Sequence, residues 1–116
     1  MTDELGVSVT TFARGVVIHL SGPLGSGAAM RLGEAIAAVD ERETPTVILD
    51  LARVPACDIQ GMGAIIAAMK HAARRDLRLI MAAVNPPISR AIERHGLTDR
   101  AELRGSLREA VDELEA

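Results

Sequence analysis

The chain has 116 residues, of which 48% are hydrophobic and only 1% aromatic, and it carries 13 Lys and Arg residues against 16 Asp and Glu residues. This length fits one domain, residues 1–116, with a core built from aliphatic side chains. A net charge of −3 and a sole aromatic residue, Phe12, argue against nucleic-acid binding and against attraction to an anionic membrane.

Cysteine content and the N-terminal segment indicate a compartment. Cys57 is the only cysteine, which excludes an intrachain disulfide and suits a reducing environment. The first residues, MTDELGVSVTTF, are acidic and lack the basic and apolar regions of a signal peptide. Apolar stretches are short and interrupted by charges, so no membrane-spanning segment is predicted. We therefore expect a cytoplasmic domain.

The first predicted elements are a β-hairpin and a helix. Polar and apolar residues alternate in VSV and again in GVVIHLSG, on either side of the turn ARG at 13–15. GPLGSG at 22–27 ends the second strand. Apolar residues then recur every three or four positions from Ala29 to Val39, which predicts an amphipathic helix that ends near Arg42.

Two strands alternate with two helices in the middle of the chain. TPTVILDL at 44–51 predicts a strand that is buried on both faces, because its apolar run is nearly continuous. An apolar stripe over 62–73 predicts a second helix, and LRLIMAAV at 77–84 predicts the next strand. NPP at 85–87 ends that strand, and a short helix follows that closes at Gly96.

The last predicted element is an amphipathic helix with Leu107, Val111 and Leu114 on one face and Ser106 as its N-cap. A connector over 97–103 precedes it and predicts a brief strand at its end. The order β-β-α-β-α-β-α-(β)-α predicts an α/β fold, in which a mixed sheet of four to five strands with an N-terminal hairpin carries packed helices.

A glycine-rich turn offers one candidate site. GSGAAM at 25–30 lies between a strand and a helix, and Asp50 follows at the end of the next strand, as in a dinucleotide-binding fingerprint. The pattern is incomplete because Met30 replaces the third glycine. An ordinary strand–turn–helix connection is therefore favoured over a nucleotide site built from Gly25, Gly27 and Asp50.

No catalytic or metal-binding constellation is predicted. The three histidines lie on separate predicted elements and lack metal-ligand spacing: His19, His71 and His95. Cys57 has no evident partner base, so a half-buried thiol is favoured over a nucleophile. Asp50 and Asp58 flank one turn without a His or Lys base between them. We therefore expect no enzymatic activity, no metal and no cofactor.

The turn PACDIQGMGAI at 55–65 carries a resemblance to a known family. The segments VILDL, DIQGMGAI, LRLIMAAV and IERHGL follow one another in the order and spacing of the STAS domain of bacterial anti-sigma factor antagonists. The resemblance covers roughly residues 6–115. It implies the STAS fold, in which a buried strand leads through an Asp-Ser-Ser-Gly-type turn into the second helix.

The resemblance also implies a function by partner switching. A STAS antagonist binds an ATP-dependent anti-sigma kinase and frees the sigma factor, and phosphorylation of a Ser or Thr in the turn blocks that binding. Asp58 matches the family's Asp and Gly61 its Gly. Ile59 occupies the position of the phosphorylatable residue and Gln60 the next one. Neither side chain accepts a phosphoryl group, so no phosphorylation is expected in this turn.

These expectations define a regulatory protein-binding module for transcription. The turn at 57–63 is predicted to dock an anti-sigma kinase or another STAS protein, through Asp58, Ile59, Gln60, Gly61 and Met62. Asp58 is expected to cap the helix as well, and Gly61 and Gly63 to keep the turn flexible.

Three further points stay open at the level of sequence. Ile59 either docks a partner or packs into the helix–sheet seam, and a homodimer through Ile59 and Met62 is an additional possibility. The alternative partner is an ATPase, because stand-alone STAS proteins also resemble small subunits of lipid-transport ATPase complexes.

Overall fold

A five-stranded sheet with helices on both faces forms the protein in a computed structural model that describes residues 5–40, 42 and 45–115. The elements are β1 (Gly6–Phe12), β2 (Gly15–Ser21), α1 (Ala28–Ala37), β3 (Thr46–Arg53), α2 (Ile59–Arg74), β4 (Arg78–Ala82), α3 (Pro86–Arg94), β5 (Glu102–Arg104) and α4 (Leu107–Glu115). The strands lie in the order β1-β2-β3-β4-β5, with β1 antiparallel to β2 and every other pair parallel. The predicted mixed sheet with an N-terminal hairpin is confirmed.

Element boundaries differ from the sequence-based expectations at a few places. Helix α1 ends at Ala37 and not near Arg42. Strand β3 starts at Thr46, whereas the predicted start at Thr44 lies outside the described residues. Strand β4 ends before Ala83, because Ala83 has a φ of 60°, a left-handed conformation that a strand does not contain.

Strand β3 is buried on both faces, as its continuous apolar run predicts. Val47, Leu49 and Leu51 belong to the main core beneath α1, α2 and α3. Ile48 belongs to a smaller cluster on the opposite face, where it packs with residues of α4. The alternation of side chains along a strand sends neighbouring residues to opposite faces, so one apolar strand serves two layers.

Helix α4 packs mainly against β3, β4 and β5. Arg104 and Arg78 donate hydrogen bonds to Glu113 of this helix and lower the pKa of its carboxyl to about 2. On this face Val17 of β2 is buried in the cluster with α4, whereas Ser8 and Thr10 of β1 are exposed. Among residues 5–40, 42 and 45–115, no helix has the length and apolarity that crossing a membrane requires.

The N-terminus of α2 lies against the loop between β2 and α1. The N–H of Leu24 donates to Ala56 O at 2.9 Å, and the N–H of Asp58 donates to Leu24 O at 3.1 Å. A Cβ at Gly61 would lie 2.1 Å from Leu24 O, so only glycine allows this approach. Gly61 is buried and held by this contact, and the expectation that it makes the turn flexible is wrong.

Replacing Gly61 by Ala should therefore destabilise the protein, by about 1–3 kcal/mol, because the new methyl group overpacks a backbone carbonyl. Gly63→Ala is the matched control in the same helix, since a Cβ there meets nothing within 4 Å. It should stabilise the protein by about 0.5–1 kcal/mol. Urea unfolding of both variants measures the difference, and equal effects would contradict the close contact.

Candidate functional site

Helix α2 begins at the end of the loop that leaves β3, and Asp58 caps it. The backbone of Asp58 is extended, with φ −91° and ψ −172°, and its Oδ1 accepts the N–H of Gly61 at 2.8 Å. This is the standard geometry of an N-cap carboxylate, which satisfies an amide that has no partner inside the helix. The capping role expected for Asp58 is confirmed.

The predicted binding residues divide into an exposed group and a buried group. Asp58, Ile59 and Gln60 are exposed, and we call these three residues the α2 tip. The Ile59 side chain has 86% of its surface accessible, which decides that it lies outside the helix–sheet seam. Met62 is only 2% exposed and belongs to the core, as does the buried Gly61. The expectation that Met62 contributes to an exposed docking or dimer surface is wrong, because the helical turn directs it inward.

Gly25 and Asp58 lie together at this end of the sheet. A Cβ on Gly25 would be 3.1 Å from Asp58 Oδ2, so the carboxylate occupies the space beside the glycine. A negative carboxylate at that position repels the pyrophosphate that a dinucleotide-binding loop must admit.

Asp50 lies elsewhere. It follows Ile48 by two residues on β3, so both side chains point to the face that α4 covers. Gly25 and Gly27 lead into α1, which lies on the opposite face. The structure therefore does not bring Gly25, Gly27 and Asp50 together as a nucleotide site.

Cys57 precedes the α2 tip and is half-buried, as expected. Burial, and then the negative charge of Asp58, raises the pKa of its thiol. Its Sγ lies 3.6 Å from Asp58 O and donates a weak hydrogen bond to it. Since the thiolate is the reactive form, these effects make Cys57 a poor nucleophile.

A second polar cluster lies on the α4 face of the sheet and joins β1, β2 and β3. Strand register places His19 of β2 beside Asp50 of β3, and His19 Nδ1 is 2.8 Å from Asp50 Oδ2. His19 Nε2 is 3.1 Å from Thr10 Oγ1, and Asp50 Oδ1 accepts the N–H of Ala52 at 3.1 Å. No His or Lys lies between Asp50 and Asp58 in the sequence, and the base beside Asp50 comes instead from β2, because parallel pairing joins residues that are far apart in the chain.

This Thr10–His19–Asp50 cluster has the order of a hydroxyl–imidazole–carboxylate triad. Acyl transfer also needs two N–H donors that converge on the developing oxyanion. Thr10 lies in the middle of a regular strand, where successive N–H groups point to opposite sides. The cluster therefore serves to connect three strands, β1, β2 and β3, through side-chain hydrogen bonds.

The remaining histidines lie at helix ends. His71 is in the last turn of α2, and His95 follows α3 with its Nδ1 2.8 Å from Ala91 O. Across residues 5–40, 42 and 45–115, no group of three or more His, Cys, Asp or Glu side chains is arranged to hold a metal ion.

Comparison with known families decides the classification. The sequence profile described as the STAS domain matches residues 7–110, which is most of the chain. The chain belongs to the STAS domain family. No individual curated protein matches this STAS domain by sequence.

Solved structures show the same fold at low identity. An anti-sigma factor antagonist from Mycobacterium paratuberculosis is 22% identical with a TM-score of 0.82, and the match covers 100% of this STAS domain and 98% of that chain. The Bacillus cell fate determinant SpoIIAA in its phosphorylated form is 22% identical with a TM-score of 0.72, over 93% and 98%. A sulfate transporter family protein from Wolinella succinogenes is 22% identical with a TM-score of 0.78, over 93% and 89%.

Substitution of Asp58 tests its capping role in this STAS domain. Asp58→Ala removes the acceptor for Gly61 N–H and should lower the free energy of unfolding by about 0.5–2 kcal/mol. Asp58→Asn is the matched control, since its amide oxygen caps a helix nearly as well. Chemical denaturation of the three proteins measures the effect, and an unstable Asn variant would contradict a role limited to capping.

Proposed function

We propose that this STAS domain is a non-enzymatic regulatory module whose α2 tip docks on an anti-sigma factor of the serine-kinase type. The proposal depends on one observation, the 86% exposure of Ile59 directly after the capping residue Asp58. The likeness to structures described as anti-sigma factor antagonists supports this class of partner. The protein would act in the cytoplasm, where anti-sigma factors and sigma factors meet.

The α2 tip is well prepared to bind a protein. Transfer of the exposed Ile59 side chain into an apolar pocket contributes about 1.5–3 kcal/mol. The Asp58 side chain is already fixed by its hydrogen bond to Gly61, and the loop before it is joined to Leu24 through two backbone hydrogen bonds. Little conformational entropy is therefore lost when a partner docks, which raises the affinity that one apolar side chain can provide.

The same residues make the docking constitutive. Residues 55–65 contain no Ser, Thr or Tyr, so no hydroxyl of this turn can accept a phosphate. A phosphate would add close to two negative charges and disrupt an apolar contact, and this turn lacks that means of release. We infer that the complex is controlled by the amount of protein or by the state of the partner.

Ile59→Asp should raise the dissociation constant for the anti-sigma kinase of the same genome at least about tenfold, because it replaces the apolar contact with a charge. It should leave the fold intact, since an acidic side chain in the first turn favours the helix by about 0.3–1 kcal/mol. Ala67→Asp is the control, because Ala67 is exposed on the same helix beyond its first turn. Isothermal titration calorimetry compares the two variants, and equal affinities would contradict docking through Ile59.

A restored hydroxyl should make the tip a kinase substrate. Wild type, Ile59→Ser and Gln60→Ser are each incubated with that kinase and ATP, and intact mass with peptide mapping locates the phosphate. We expect no phosphate within residues 55–65 of the wild type and one in at least one Ser variant. If the kinase modifies a serine-containing antagonist in the same assay but neither variant, the tip does not enter its active site.

Transport provides a second candidate function. The likeness to the sulfate transporter family protein from Wolinella succinogenes, and to a murine anion transporter, supports a STAS subunit that docks on a transport ATPase or transporter. The α2 tip would be the contact in that case as well. Affinity purification from the native cell separates the two proposals, because one recovers an anti-sigma kinase and the other a transport protein.

A further inference from the structure

Strand β1 is an open edge of the sheet. It pairs with β2 without irregularity from Gly6 to Phe12, and no described strand lies on its other side. Every second residue of such a strand directs its N–H and C=O groups away from the sheet. The sequence GVSVTTF contains no charged residue and no proline, which are the usual devices that prevent an edge strand from pairing with another chain.

The opposite edge of the same sheet is protected. Strand β5 has only three residues, and Glu102 and Arg104 at its two ends are both charged. Arg78 bridges Glu102 and Glu113 at 2.8 and 2.9 Å, so the charges form a network over this edge. Helix α4 packs beside it. The contrast distinguishes β1 as the edge of the sheet that is open to pairing with another strand.

An apolar groove accompanies the open edge. The described residues include three exposed large hydrophobic side chains, of which Ile59 belongs to the α2 tip. The other two, Val9 and Met30, are 52% and 71% exposed and line one groove of about 500 Å³ between β1 and α1. The groove is formed by Val7, Val9, Met30, Arg31, Glu34 and Ala35.

We propose that β1 pairs with β1 of a second copy of this chain in an antiparallel, twofold-symmetric dimer. A twofold axis at Val9 sets Val9 opposite the partner's Val9 and Thr11 opposite the partner's Val7. The two five-stranded sheets become one continuous sheet, and the edge N–H and C=O groups find partners. The groove of each copy then lies beside the groove of the other, so the exposed apolar side chains of both copies are covered.

The uncharged edge favours a second copy as the occupant. GVSVTTF brings no charge to the pairing, so two copies of β1 meet without repulsion between like charges. A twofold axis sets Val7, Val9 and Met30 of one copy near the same apolar side chains of the other. An isologous interface must be self-complementary, and an apolar surface beside an uncharged edge meets this condition.

Sedimentation equilibrium tests the dimer. Wild type should be dimeric at about 100 μM, well within the range where a weak specific interface is occupied. Val9→Lys should raise the dimer dissociation constant at least about tenfold, because it places two like charges opposite each other. Ala67→Lys adds the same charge on an exposed part of α2 and should change nothing. Monomeric wild type, or an unaffected Val9→Lys dimer, would overturn the proposal.

Disulfide trapping tests the pairing itself. In a Cys57→Ser background, Val9→Cys should cross-link under mild oxidation, because directly opposite Cβ atoms lie about 4.5–5.5 Å apart. Thr11→Cys is the control on the same strand and face, since the two cysteines would be four residues apart along the strands, about 13 Å. Equal cross-linking of both variants, or of neither, would refute this register. Ile59→Asp should remain dimeric, so this outcome is independent of the function proposed for the α2 tip.

Discussion

The backbone contact between Leu24 and the first turn of α2 is the constraint on which the candidate site depends. Leu24 O accepts a hydrogen bond from Asp58, and only the missing side chain of Gly61 lets the helix approach this carbonyl. The loops after two parallel strands are thereby joined into one rigid end of the sheet. Asp58 is fixed by its cap within this end, and Ile59 has no place in the core, so it points to solvent.

The N-terminus of α2 carries an exposed apolar side chain at a position where the electrostatics of a helix favour a negative charge. Free N–H groups and the helix dipole favour a negative charge at this position, which suits a phosphoserine. This chain retains that geometry, with Asp58 as the cap, but places Ile59 and Gln60 where a hydroxyl would be needed. In the function that we propose, this tip contacts a partner, and residues 55–65 contain no hydroxyl that could accept a phosphate and end the contact.

The two edges of the sheet differ in how far other parts of the chain cover them. Helix α4 and the charged network at Arg78 cover one edge, whereas β1 is fixed to the sheet by the bond from Thr10 to His19 and by Val7 against the core. Strand β1 is therefore ordered without being covered. An ordered, uncharged edge has little entropy to lose on pairing, and this is the physical basis for the dimer that we propose.

Sequence by itself determined the elements, their order, the aliphatic core and the Asp58 cap, because each depends on local periodicity or on residues within one turn. Tertiary structure decided what depends on register and close approach. It joined His19 to Asp50 across parallel strands, directed Met62 inward and Ile59 outward, and made Gly61 a point of contact. These outcomes arise between residues distant in the chain, whose distances no local pattern specifies.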